Sequence, residues 1–333
     1  MAAYSWEVVP QLGTCLTPAC ANDVESLNHD VPRETSQSRE DLDCSFGVVR
    51  SVDSIRRSLG DLAGEQAPRP SETRIIAVAN QKGGVGKTTS AVNIAAALGF
   101  MGQEVLVVDM DPQGNASSAL GVDHGPEIIS MYEVLVEGKS LLDVVRPVSG
   151  LPGLTAAPAT VHMAGAEIEL VNEAAREGRL RSALRQYMPE YQERARRLDY
   201  IIIDCPPSLG LLTLNAMVAA DEVLIPLQCE YYALEGLGQL LGSIELSREH
   251  LNPRLRVSAI LLTMFDSRTK LAPQVADDVR EHFPDQVLAT AIPRSVRISE
   301  APSFGQTVLT YDPRSSGAVS YMRAARELAQ DRR

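Results

Sequence analysis

Eight consecutive residues, KGGVGKTT from Lys82 to Thr89, put two lysines, three glycines and two threonines into one short stretch. Glycines let backbone N–H groups turn inward around a phosphate, and a helix beginning there adds the positive end of its dipole. In such a cradle, made here by Gly83, Gly84, Val85, Gly86, Lys87, Thr88 and Thr89, Lys87 reaches the β- and γ-phosphates and the Thr88 hydroxyl sits on a magnesium ion. Carboxylates stand in two further stretches: Asp109 and Asp111 in VLVVDMDPQGN, and Asp204 in IIIDCPP. They could act on a metal or on water, and Asp204 fits the role of holding a magnesium-bound water. These residue types call for a nucleotide with β- and γ-phosphates together with Mg2+.

The elements that must position these groups are legible around them. Ile75 to Ala79 reads as a strand, and TTSAVNIAAALGF after Lys87 reads as a helix, with Val92, Ala95, Ala96 and Gly99 at helical spacing. Val105 to Val108 and Tyr200 to Ile203 are continuous apolar runs, as expected of strands buried on both faces of a parallel sheet. Their acids therefore fall at the carboxyl edge, where open α/β sheets place ligands. Further strands are expected at Val223 to Pro226, at Val257 to Leu262, within LPGLTAAPAT and in the closing VLATAIPR stretch. SMYEVLVEGKSLLDVV predicts one helix and MAGAEIELVNEAAREGRLRSALRQYM a longer helical region. The fold class is α/β, a mostly parallel twisted sheet with helices on both faces.

Composition narrows the function classes. A chain of 333 residues has ample core for one large α/β domain, and no apolar run approaches the roughly 18 residues of a membrane span. The start, MAAYSWEVVPQLG, has no basic region followed by an apolar stretch and does not read as a secretory signal. Five scattered cysteines without a CxxC pair point to a reducing cytosol rather than to a disulfide framework or zinc site. A net charge of −12 argues against an overall basic surface and leaves room for a local basic patch. Residues 1–72 are rich in Ser, Asp, Glu and Pro and read as a largely disordered tail, with an amphipathic helix predicted within 46–64; the α/β domain that carries the phosphate loop is expected at 73–333.

KGGVGKTT departs from the ordinary GxxxxGK[ST] pattern, because Gln81 stands at the first glycine position and an extra lysine follows it. In this it resembles the deviant phosphate loop of the ParA/MinD ATPases, a P-loop NTPase group, and PLQCEYYALEGL is strongly similar to chromosomal and plasmid ParA proteins of the Soj branch. The resemblance covers roughly Arg74 to Gln330. It implies that Lys82 reaches across a homodimer to the partner's nucleotide, that Asp111 positions the attacking water, and that Asp109 lies closer to the metal. It also implies that Thr263, Met264 and Pro293 neighbour the adenine.

By the same resemblance the ATP-bound homodimer binds DNA non-specifically, with Arg256, Arg294 and Arg297 as candidate contacts, and a ParB-type partner stimulates hydrolysis. The expected setting is cytoplasmic and nucleoid-associated, without a membrane anchor; the tail is a place for a polar scaffold protein to bind. A MinD-like membrane ATPase would require an amphipathic C-terminal helix, whereas this chain ends RAARELAQDRR. An iron–sulfur carrier would want the missing CxxC pair, and a non-catalytic adaptor would not need Lys87, Thr88, Asp111 and Asp204 together.

Overall fold

The computed structural model describes residues 51–60, 66–231 and 233–330. Apolar β-favouring runs make the strands: β1 (Arg74–Val78), β2 (Val105–Asp109), β3 (Arg146–Pro147), β4 (Leu154–Ala157), β5 (Tyr200–Asp204), β6 (Glu222–Gln228) and β7 (Arg256–Thr263). They form one sheet in the order β3-β4-β2-β5-β1-β6-β7, parallel throughout except for the short β3, which pairs antiparallel with β4. Side chains alternate between the two faces with the period of the pleat. Ile75, Leu106, Ile201 and Val223 belong to one apolar cluster, and Ile76, Val107, Ile202 and Leu224 to the other. Both faces are therefore covered, which is why the strands read as unbroken hydrophobic runs.

In chain order the helices are α1 (Val52–Leu59), α2 (Lys87–Phe100), α3 (Asn115–Ala119), α4 (Met131–Leu135), α5 (Leu141–Val144), α6 (Met163–Glu169), α7 (Arg179–Arg194), α8 (Leu211–Ala219), α9 (Ala233–His250), α10 (Leu271–His282), α11 (Val296–Glu300), α12 (Val308–Tyr311) and α13 (Ser316–Ala329). Helix α2 is buried along nearly its whole length and follows β1 directly, so its N-terminus is delivered to the carboxyl edge of the sheet.

Three expectations change. The stretch expected to be one helix around Met131 is two short ones, α4 and α5, because Gly138 turns the chain and Ser140 caps the second by accepting the Leu142 N–H. The longer helical region is broken between α6 and α7, where Ala175 takes a positive φ of 53°. The strand expected in VLATAIPR runs beside β7 only through isolated bridges, Ile260 with Val287 and Phe265 with Pro293. There the amides of Ala289 and Thr290 donate to the Glu327 carboxylate of α13 instead of to a neighbouring strand.

Of the 46–64 window, Val52–Leu59 is helical, and its Ile55 and Leu59 are buried in the cluster that holds α2 and α13. Residues 66–72 also touch the domain, with the Ala67 N–H donating to Met101 O and its carbonyl accepting from Gln103 Nε2. The rest of the tail reading, including a scaffold-binding role, lies largely outside the described residues.

Candidate nucleotide site

Strand order brings β2, β5 and β1 side by side, so the three motif-bearing strand ends are neighbours. Register finishes the alignment: Asp109 pairs with Asp204, and Val78, the last residue before the loop, also pairs with Asp204. The loop itself is held from several sides. Asn80, buried, donates to Pro226 O at 2.8 Å and accepts the Lys82 N–H at 3.0 Å. Gly86 caps α2 in a left-handed conformation (φ 85°, ψ 32°), where a side chain would be strained. Thr263 is buried and donates its hydroxyl to Val85 O at 2.8 Å.

An open cavity of about 450 Å³ lies over this loop, lined by Gly83, Gly84, Gly86, Lys87, Thr88, Thr89, Asp111 and Met264 among the expected residues. Gln113, Asn115, Ser118, Ala119, Pro207 and Pro302 line it as well. A larger cavity, about 550 Å³, opens at the opposite edge of the sheet between Arg69, Arg74, Asp221, Glu222, Arg254 and Arg256. It has no glycine loop, and its Arg74–Glu222, Arg254–Asp221 and Arg256–Glu222 charges are spent on one another.

Electrostatics separate the acids. Asp109 is fully buried and fully engaged: its Oδ2 accepts the Ser117 N–H at 2.9 Å and the Ser117 hydroxyl at 2.7 Å, and its Oδ1 accepts the Asp111 N–H at 3.1 Å. Burial raises its pKa while the Ser117 hydrogen bonds oppose the rise. These bonds tie Asp109 to the loop that follows β2, while strand register keeps it beside Asp204. Asp204 is also fully buried, yet neither of its oxygens has a hydrogen bond of good geometry. Burial and the adjacent Asp109 charge push its pKa well up, with the Thr88 hydroxyl and the Lys87 ammonium acting the other way. A buried carboxylate with two orphaned oxygens beside Thr88 is the arrangement a hydrated magnesium ion would satisfy. Lys87 is largely buried, and desolvation lowers its pKa against the pull of Asp204 and Asp111; its Nζ donates to Lys82 O at 3.1 Å.

Asp111 stands at the cavity wall with its Oδ1 accepting the Gln113 N–H at 3.0 Å. Lys82 points elsewhere, pairing with Glu230 of its own chain, with both side chains nearly half exposed (43% and 46%). Pro293 is bridged to Phe265, next to the cavity-lining Met264. The basic candidates do not form one group. Arg294 and Arg297 flank the start of α11, where Arg297 pairs with Glu300 and Asp312. Arg256 opens β7 at the far edge of the sheet, about 23 Å from Thr263 by strand rise. There it is tied to buried Glu222.

Ser117, Asn115 and Pro302 also belong to this region, although nothing in their sequence context marks them. The serine that anchors Asp109 sits in a short polar helix, NASSA, that has no periodic signal.

A phosphate loop between β1 and α2, with acids at the ends of two adjacent parallel strands, defines a P-loop nucleotide-binding protein. Residues 73–257 match the family model described as an AAA domain. The chain is 51% identical over 256 residues, 77% of its length and 98% of the relative's, to the sporulation initiation inhibitor protein Soj of Bacillus subtilis. It is 54% identical over 255 residues to the chromosome partitioning protein ParA of Myxococcus xanthus, covering 77% of this chain and 87% of that one. Among solved structures, cobyrinic acid a,c-diamide synthase from Mycobacterium smegmatis with bound ATP analogue and magnesium superposes with a TM-score of 0.64 at 40% identity, covering 75% of this chain and 91% of that one. The chain belongs to the ParA/Soj family of P-loop ATPases.

Proposed function

We propose that this ATPase acts in chromosome partition by coupling ATP binding to attachment and release of DNA. The observation that carries the reading is the in-register pair Asp109 and Asp204 beside the Lys82–Thr89 loop, with Asp204 left unpartnered. Lys87, already desolvated, would donate to the β- and γ-phosphate oxygens, and Thr88 with Asp204 would hold magnesium. Magnesium, when bound, neutralises charge developing on the transferred phosphoryl group. Asp111, fixed by its turn and lining the cavity, would orient the attacking water.

Lys82 is the residue that one site alone does not need. Its contact with Glu230 is exposed, and such pairs contribute only about 0–1 kcal/mol, so releasing Lys82 to a second subunit costs little. An ATP-bound homodimer formed this way would present Arg294 and Arg297 to the phosphate backbone of DNA; both are exposed. Arg256, at the opposite edge and tied to Glu222, is the weakest of the three candidates. A ParB-type partner would stimulate hydrolysis, and the parted subunits would leave the DNA, giving a cytoplasmic, nucleoid-associated cycle.

The test is co-sedimentation with unrelated DNA fragments in ATP, in ADP and without nucleotide, across a salt series. Binding in ATP only, falling steeply with salt, is the expected result. Equal binding in all three states would refute nucleotide gating.

A further inference from the structure

Helix α1 precedes residue 73, where the family match begins, yet it is built into the domain. Ile55 and Leu59, one helical turn apart, are 1% and 5% exposed, while Asp53, Arg56 and Arg57 face solvent. Both ends are fixed: Ser51 Oγ accepts the Ser54 N–H at 3.3 Å, and the Gly60 N–H donates to Arg56 O at 3.0 Å.

The seat of this helix is shared with the nucleotide site. Ile55 lines a cavity of about 180 Å³ with Ala119, Leu120, Leu151 and Phe304, and Ala119 also lines the cavity over the phosphate loop. Two glycines at positive φ lock the seat together. A Cβ on Gly121, just past α3, would lie 3.1 Å from Gly305 O, and one on Gly305 would lie 3.2 Å from Gly121 Cα. The turn that ends at Gly305 carries Pro302, which borders the nucleotide cavity. Helix α3 in turn carries Ser117, whose N–H and hydroxyl hold the Asp109 carboxylate next to Asp204. Ile55 and Leu59 thus share one apolar cluster with Ala119 and Leu120, and the helix that carries Ala119 also carries the serine that holds Asp109 beside Asp204.

We propose that α1 is a positioning helix for the nucleotide site. Seated on the junction of α3 with the 301–305 turn, it favours the placement of α3 that fixes Asp109, and binding of magnesium nucleotide tightens the seat in return. Ile55 and Leu59 are positioning residues, since they act through α3 and touch no reacting atom. This inference rests on the nucleotide-site reading above.

The experiment uses the full chain and a fluorescent ADP analogue, titrated with magnesium and again in excess chelator, together with hydrogen exchange of residues 51–60 with and without magnesium ADP. Ile55→Asp should weaken binding about 5- to 10-fold in magnesium, within the usual range of coupling between sites. The loss should shrink in chelator, because Asp109 is in register with Asp204, which would hold the metal. In the unaltered chain, exchange across α1 should slow when magnesium ADP binds. If Ile55→Asp does not fold, Ile55→Ala and the exchange measurement on the unaltered chain decide. Affinity unchanged in a variant whose α1 exchanges freely, a loss equal with and without magnesium, or exchange indifferent to nucleotide would each overturn the proposal. Failure of the unaltered chain to bind any nucleotide would overturn the site reading itself, and this inference with it.

Discussion

Ser117→Ala probes the arrangement of the acids most sharply, because it removes one hydroxyl and leaves the backbone in place. In the native structure that hydroxyl donates to Asp109 Oδ2 at 2.7 Å and accepts the Ala159 N–H at 3.2 Å, both within buried surroundings. A hydrogen bond to a charged group contributes about 1.5–3 kcal/mol, and a buried N–H left without a partner costs about 1–3 kcal/mol. The two effects share one site and do not add fully, so the expected loss is about 2–4 kcal/mol of a domain stability of about 5–15 kcal/mol. The Ser117 N–H still donates to Asp109 at 2.9 Å, which keeps the loss below that of removing the whole contact. Urea unfolding with and without magnesium ADP measures it. The gap between the two conditions should narrow as well, because a loosened Asp109 no longer anchors the loop carrying Asp111. A loss under about 0.5 kcal/mol with unchanged stabilisation by magnesium ADP would refute the reasoning.

Three further outcomes are expected. Asp111→Ala should lower ATP turnover about 100-fold while leaving ATP binding and an ATP-dependent DNA complex intact, measured by phosphate release and co-sedimentation; normal turnover removes Asp111 from the mechanism. Arg294→Ala with Arg297→Ala should weaken binding to all DNA sequences alike and reduce the salt slope by about 2, and an unchanged slope would place the DNA surface elsewhere. Glu222 accepts from Arg74 at 2.8 and 2.7 Å; burial works against its charged form, but the Arg74 hydrogen bonds prevail and its pKa is lowered. Its stabilising effect is therefore full above the ordinary glutamate pKa of about 4.3 and is lost as pH falls through the lower native value. Glu222→Gln should cost about 3 kcal/mol near pH 7, with the difference from the unaltered chain closing toward pH 3. A difference that stayed constant over that range would exclude the charge as its cause.

Much of the fold was written in local pattern. Continuous apolar runs marked β1, β2, β5, β6 and β7, since strands buried on both faces carry no polar alternation to obscure them. What local pattern could not carry was competition from distant partners. The VLATAIPR stretch has strand-like composition, yet Glu327, far along the chain, takes the amides of Ala289 and Thr290 and limits pairing with β7 to isolated bridges. At the site, the glycine loop with Lys87 and Thr88 stood out as a local pattern, and Asp109 and Asp204 as the acidic ends of apolar strands. The different surroundings of these two carboxylates were not legible. Both end apolar strands, and only the fold shows Ser117 taking up one carboxylate while the other stays unpartnered. Arg256 stood with Arg294 and Arg297 as a candidate DNA contact, and strand direction alone puts it at the other edge of the sheet.

The central claim is that the extra lysine makes the nucleotide site a shared one. Sedimentation velocity of the unaltered chain and of Lys82→Ala, each with magnesium and ATP and again with ADP, tests it most directly. A dimer in ATP only is expected for the unaltered chain, and a monomer in both nucleotides for Lys82→Ala despite retained ATP binding. An ATP-dependent dimer of equal affinity in Lys82→Ala would contradict it.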